Sequence, residues 1–344
     1  MPEQDSAPSD PLPPHVRLVQ MSTGFIRSRA LHAAAELRLA DHLDGGPKTA
    51  GELAGATDTH APALHRLMRA LAHWDVLSME DDGRFSLTPL GEALRSDAPG
   101  EARSTILAVV GEAFWEAFRA LPGALEDGEP GIQKAMGRSF FEHLEENPEQ
   151  ASHFNDAMIG FHGAEPPAVA DAYDFSGFDT IVDVGGGTGN LLTTILGEHP
   201  GPDGVLFDLP HVVEEAAELI ERRGLDDRIS RVPGDFFEQV PEGGDAYVLS
   251  HIVHDWPEER CLEILGNCRD AIAPAGRLLI VEMVLPDDGP PHPGYELDMV
   301  MLALTGGRER TAGEYADLLA GADFRVERVV PTESPVSVVE AVPA

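Results

Sequence analysis

Hydrophobic positions recur with two different periods along the chain, and the change of period divides it. From His15 to about Asp97 the spacing is helical. Phe25, Ile26, Leu31, Ala34, Ala35, Leu37, Leu39 and Leu43 mark a first stretch, which Gly45 and Gly46 end. Thr49 is placed to cap a short helix through Leu53, and Leu64, Leu67, Met68 and Leu71 share one face of a helix from Ala61 to His73. Val76, Leu77 and Met79, a turn at Asp81, Asp82 and Gly83, and then Phe85, Ser86 and Leu87 predict a hairpin. Short helices followed by a hairpin predict a winged-helix-like domain over 15–98.

Helical spacing continues through 99–165, with Phe114, Trp115, Phe118 and Leu121, then Phe140, Phe141 and Leu144, then Phe154, Met158 and Phe161. Such stripes are core, or the lining of a flat aromatic ligand, and the two are compatible. This segment is expected to act as a helical linker or lid. From 166 to 344 strands and helices alternate, which predicts an α/β doubly wound sheet. Its strands are expected at Ile181–Val184, Val205–Phe207, Ile229–Val232, Ala246–Leu249 and Arg277–Met283. Phe324–Val330 and Val336–Val342 are expected to close the chain as an antiparallel hairpin.

In the stretch DTIVDVGGGTGNLL, an apolar strand runs into Gly185, Gly186, Gly187 and Gly189 and then into a helix. A bland tight turn would have the same glycines. The dinucleotide fingerprint would require a third glycine where Asn190 stands. Asp183 at the strand end would repel pyrophosphate but suits a ligand with an ammonium or sulfonium group, which points to S-adenosylmethionine. Asp208 ends the next strand about 20 residues on, where a carboxylate accepts from ribose hydroxyls; its alternative is a helix cap before Pro210. Asp235, beside Phe236, is placed to accept from an adenine amino group.

Charge narrows the partners. Sixty Asp and Glu against 24 Lys and Arg give a formal net charge of −36. Nucleic acid and anionic membranes are therefore not expected, since both are bound through cations. The winged helix offers Arg66 and Arg69, but Asp75, Glu80, Asp81 and Asp82 crowd its wing, so dimerisation is expected of it rather than DNA binding. The first 14 residues, acidic and Pro-rich, predict a disordered tail without the features of a secretory signal. With no apolar run near ~18 to 20 residues, a cytoplasmic location is expected. Cys261 and Cys268 fall seven positions apart in one predicted helix, roughly 10 Å at helical rise, too far for a disulfide.

His251, His254 and Asp255 lie in LSHIVHDW. The histidine spacing suits one helical face, yet no third ligand stands at a recognisable interval, and no metal is expected. His254 lies beyond a strand on the ligand edge, where a general base is wanted. Glu282 ends the following strand and Glu309 lies in GGRERT; carboxylates near an imidazole orient it and raise its basicity.

Taken together, LTPLGEALRSD, DVGGGTG, FDLP, GDFF, HDW, the strand ending in Glu282 and GGRERT resemble the S-adenosylmethionine-dependent O-methyltransferases of plant caffeic acid and flavonoid metabolism and of bacterial natural-product pathways. The resemblance implies a Rossmann-like methyltransferase domain behind a winged-helix-like domain that forms a homodimer, with S-adenosyl-L-homocysteine as the spent cofactor. It implies His254 as base, Glu282 and Glu309 flanking it, and Asp255 helping to position the site. The cofactor would meet Asp183, Gly185, Gly187, Asp208, Leu209, Gly234, Asp235, Phe236 and Ser250. Phe154, Met158, His251, Met299, Val300 and Leu304 would line the pocket of a small aromatic acceptor. Where plant relatives often have Trp and Asn, this chain has His251 and Leu304, which points away from a phenylpropanoid. Hydroxylation and cyclisation on the same scaffold are alternatives over which the histidine of HDW favours methyl transfer, and N- or C-methylation stays open.

Overall fold

The computed structural model describes residues 12–288 and 291–344. They form two compact units: 12–112 with 147–160, and 113–146 with 161–288 and 291–344. The segment 99–165, expected as one linker or lid, is thus divided between the two.

The first unit opens with helices Pro14–Ser22, Gly24–Glu36 and Leu39–Leu43. The predicted tail reaches only to Pro13 in the described residues, because Pro14 starts a helix with a proline in its first turn, where a missing N–H costs nothing; residues 1–11 lie outside the description. The single amphipathic stretch of the sequence is broken at Thr23 and again at Arg38, whose φ is +50°. Thr49 and Glu52 form a reciprocal capping box at the start of helix Ala50–Thr57. Helix Ala61–His73 follows. Strands β1 (Lys48–Thr49), β2 (Leu77–Met79) and β3 (Arg84–Leu87) make an antiparallel sheet in the order β1-β3-β2. The hairpin is as expected; β1 adds an unanticipated third strand. Leu53, Met68, Leu71 and Phe85 are sealed between helices and sheet. Helix and wing match the winged-helix arrangement.

The second unit is built on one sheet. Strands β4 (Thr180–Val184), β5 (Asp203–Asp208), β6 (Ile229–Pro233), β7 (Ala246–Ser250) and β8 (Arg277–Leu285) are parallel; β9 (Arg310–Thr311) pairs with the end of β8. The hairpin β10 (Phe324–Pro331) and β11 (Val336–Pro343) adds antiparallel strands at one edge. The order β10-β11-β8-β7-β4-β5-β6 reverses direction between β4 and β7. Ligands of doubly wound sheets bind at that switch point, beyond the C-terminal strand ends.

Period-two alternation sorts the side chains to two cores. Val182, Val184, Tyr247, Leu249 and Ile280 pack against helices Glu258–Ala271 and Ala312–Gly321. Ile181, Leu206, Val248, Leu279 and Val281 pack against helices Glu165–Ala172 and Asn190–Glu198. Asp183 shares the parity of Ile181, so a carboxylate is driven into an apolar layer. Cys261 and Cys268 are free and buried on the helix Glu258–Ala271. Among the described residues, no helix is long and apolar enough to cross a membrane.

Candidate active site

Two constellations stand at the C-terminal edge of the parallel strands. The first is the glycine loop between β4 and helix Asn190–Glu198. Gly185, Gly187 and Gly189 take φ of +69°, +57° and +76°, values that a side chain resists. The space a Cβ would fill at Gly187 is open to 4 Å, so the main chain there is free to meet a ligand. Asp208 fastens this loop: it accepts from the Gly187 amide at 2.8 Å and from the Leu209 amide at 2.7 Å. Burial raises the Asp208 pKa, against the pull of those two donors. The carboxylate braces the loop instead of capping helix Pro210–Glu215, whose N-cap makes no side-chain bond.

Asp183 is 1 % exposed, and neither oxygen has a full hydrogen-bond partner, the Leu192 amide making only a weak approach. Burial, and then the charge of Asp208, push its pKa up to about 7. An orphaned buried carboxylate calls for a cationic partner. Asp183, the open main chain at Gly187 and the carboxylate of Asp208 beside it fit S-adenosylmethionine. Asp235 caps its own turn through the Phe237 amide at 2.8 Å. Phe236 is half-buried against Phe237 and Trp256. Gly234, Leu209 and Ser250 lie at the ends of β6, β5 and β7.

The second constellation surrounds His254, in a single 3₁₀ turn, Val253–Asp255, after β7. His254 is 5 % exposed. Its Nδ1 lies 2.6 Å from Glu309 Oε1. Its Nε2 has no hydrogen bond, the nearest charge being Asp255 at 3.8 Å. Burial works against a charged imidazole, but Asp255, Glu309 and Glu282 outweigh it and raise the His254 pKa. Burial raises that of Glu309.

Glu282 raises the basicity of His254 through its charge, as expected, but its hydrogen bonds go to the turn and not to the ring: it accepts from the His254 backbone N–H at 3.1 Å and from the Tyr315 hydroxyl. The GGRERT loop approaches so closely that a Cβ on Gly307 would lie 1.9 Å from the His254 carbonyl oxygen. The fully buried Arg310 donates to the Val253 carbonyl at 3.2 Å and so ties the GGRERT loop to the His254 turn. Asp298 accepts from the Glu309 amide at 2.9 Å. Tyr315 and Asp298 carry no motif of their own, and Arg310, although it lies within GGRERT, was not singled out; sequence reasoning missed the part all three play.

Of the expected acceptor-lining residues, Phe154 and Met158 belong to the first unit, and His251, Met299, Val300 and Leu304 to the second. Met299 and Val300 are half-buried. Leu304, at 2 % exposure, offers almost no surface to a ligand, because helix Gly294–Leu304 turns its last residues into the core with Met301 and Ala303. His251 has φ +54°, a conformation costing an L-residue about 1–2 kcal/mol. Its Nε2 lies 2.7 Å from Glu165 Oε2, and the same oxygen lies 2.8 Å from His162 Nδ1. Burial pushes Glu165 up, but the two histidine hydrogen bonds outweigh it and hold it at about 2. Burial lowers His251 to about 4, against the pull of Glu165.

Family models match twice: an O-methyltransferase dimerisation domain over residues 19–97 and an O-methyltransferase domain over 118–325. The chain is 43 % identical over 326 residues to a phenazine O-methyltransferase of Lysobacter antibioticus, covering 95 % of each chain. It is 38 % identical to an O-demethylpuromycin O-methyltransferase of Streptomyces alboniger, covering 95 % of this chain and 89 % of that one. An O-methyltransferase of neocarzinostatin biosynthesis, solved with S-adenosylmethionine and 2-hydroxy-5-methyl naphthoic acid, superposes with a TM-score of 0.82 at 32 % identity, over 92 % of this chain and 96 % of that one.

Proposed function

The chain belongs to the S-adenosylmethionine-dependent O-methyltransferase family, and from that premise we propose that it methylates a hydroxyl, phenolic in class, on a small aromatic natural product, with His254 as the general base. The observation that carries this reading is the His254–Glu309 pair: Nδ1 is held at 2.6 Å by a buried carboxylate while Nε2 is left without a hydrogen bond. The ionised carboxylate accepts a hydrogen bond from Nδ1–H, so in the neutral ring Nε2 carries the lone pair that can accept the substrate's proton.

When bound, S-adenosylmethionine supplies an electrophilic methyl group on its sulfonium. The protein supplies the rest. Asp183 answers the ligand's positive charge, Asp208 keeps lone pairs for ribose hydroxyls, and Asp235 and Phe236 offer a carboxylate and a ring to the base. A free phenol titrates near ~10 and a free imidazole near ~6.5. The carboxylates around His254 shift the imidazole towards the phenol, and Glu309 stabilises the imidazolium formed as the proton arrives. Glu282, Tyr315 and Arg310 fix the backbone that carries the ring, so that little reorganisation accompanies transfer.

For the first unit we propose homodimerisation. Leu18, Val19, Met21, Phe25 and Ile26 leave an apolar face exposed on helices Pro14–Ser22 and Gly24–Glu36, the kind of surface an obligate dimer buries. The phenazine and the naphthoic acid named for two of the relatives support a planar aromatic acceptor. A screen of hydroxylated aromatic compounds with methyl-labelled cofactor, read by mass spectrometry, tests the proposal. A methyl ether is expected; oxidised or cyclised product without label transfer would refute it.

A further inference from the structure

Beside His254 stands a second imidazole–carboxylate group that the acid–base reading leaves unused. His251 and His162 share one oxygen of Glu165, at 2.7 and 2.8 Å. The carboxylate is ionised, so His251 Nε2 and His162 Nδ1 must each carry the proton they donate to it. Burial holds the His251 pKa at about 4, so the ring is neutral near pH 7 and Nδ1 is a bare acceptor. This nitrogen is buried and has no hydrogen-bond partner. The His251 ring centroid lies 5.2 Å from that of His254. In His254 the assignment is reversed, with Nδ1 occupied and Nε2 free. Two neighbouring imidazoles therefore each present one unshared nitrogen.

His162, Glu165 and His251 are also residue types that bind metals, with ligand atoms within 4.8 Å of one another. Two ligands on one tetrahedral ion with bonds near 2.1 Å stand about 3.4 Å apart. Here both nitrogens approach a single oxygen at hydrogen-bond distance, which is the spacing of a group sharing protons. The positive φ of His251 is retained although the residue is neither Gly nor Asn, and its amide is tied to the Val281 carbonyl at 3.1 Å. Retained backbone strain of this kind marks a side chain that must point one way.

Resting on the methyl-transfer reading above, we propose that His251, oriented by Glu165, accepts a hydrogen bond from a second donor on the acceptor, adjacent to the hydroxyl that His254 deprotonates. The substrate class is then an aromatic ring bearing two vicinal donors, two hydroxyls or a hydroxyl and an amino group. Each nitrogen reaches one substituent through an ordinary hydrogen bond of about 2.8 Å. A ring with one hydroxyl leaves the other nitrogen buried and unpaired, and sites of that kind reject the incomplete analogue. His251 would touch the substrate; Glu165 would be a positioning residue.

The test compares kcat/KM for catechol and ortho-aminophenol with that for phenol, and for the naphthalene counterparts, in the wild type, His251→Asn and Glu165→Gln. Asparagine tolerates the left-handed backbone, and glutamine keeps the volume of Glu165. The wild type should prefer the vicinal pair by roughly ten- to a hundredfold, and both variants should bring the ratio towards one. Nitrogen-15 spectra of labelled histidine should show His251 as the Nε2–H tautomer, with Nδ1 shifting when catechol and S-adenosylhomocysteine are added. Equal turnover of both ring types, or a preference untouched by the variants, overturns the inference and leaves methyl transfer standing. Methylation of neither overturns both. Tight zinc binding that perturbs His162 and His251 together would make the cluster a metal site instead.

Discussion

Asp183→Asn separates what the glycine loop costs the fold from what it gives the cofactor. Asp183 is raised from 3.8 to about 7 by burial and by Asp208. Between those values the folded protein keeps a proton that the unfolded chain has lost, so stability falls as pH rises through the window. Three pKa units at 1.36 kcal/mol each make the loss about 4 kcal/mol by pH 7. Asparagine carries no charge to desolvate, though its amide is left unpaired at a cost of about 1–2 kcal/mol. Cofactor-free Asp183→Asn should therefore be about 2 kcal/mol more stable than the wild type near pH 7, and should lose that advantage near pH 4. Urea unfolding at the two pH values reads this directly. With S-adenosylmethionine present the variant's lead should shrink or vanish, because a ligand of the folded state stabilises according to its affinity. Calorimetry should show that affinity about ten- to a hundredfold weaker in the variant, as for a lost charge-assisted hydrogen bond. In the wild type, affinity should rise with pH as Asp183 ionises. A variant that is less stable at neutral pH and binds the cofactor normally would refute the assignment.

Glu309→Gln should lower kcat/KM about ten- to a hundredfold, the value of a buried hydrogen bond to a charged group. Because activity requires neutral His254, it is lost as pH falls through the His254 pKa; Glu309 helps to raise that pKa, so the acid limb of the variant's pH profile should move to lower pH. Gly307→Ala would push a methyl against the His254 carbonyl, where a Cβ stands 1.9 Å away; turnover should collapse while cofactor affinity, measured by calorimetry, survives. Ultracentrifugation at micromolar concentration should find a dimer, and Phe25→Asp, on the exposed face of helix Gly24–Glu36, should shift it towards monomer.

Much of this was legible in the residues. Alternation located the parallel strands, and the strand ends located Asp183, Asp208 and His254, because a doubly wound sheet puts its ligands there. The two-residue strands β1 and β9 were invisible, since two residues carry no period. The helix break at Arg38 was equally hidden: it uses a left-handed residue that is neither Gly nor Asn. The His254–Glu309 contact joins residues 55 positions apart, and the family motifs, not spacing, brought them together. Glu165 meets His251 across 86 positions; a carboxylate at a helix start has no local signature for that contact. The contacts of Glu282 could not be read either, because strand position shows which edge a side chain reaches and not whether it meets a ring or an amide.

In the proposed mechanism His254 accepts the proton of the hydroxyl being methylated. Labelled methyl transfer by His254→Ala, measured on the acceptor found by the screen and beside a calorimetric measurement of cofactor binding, tests it most directly. The rate should fall by ~10² to 10⁴ with the cofactor held as tightly as before; methylation near the wild-type rate would rule out His254 as the base.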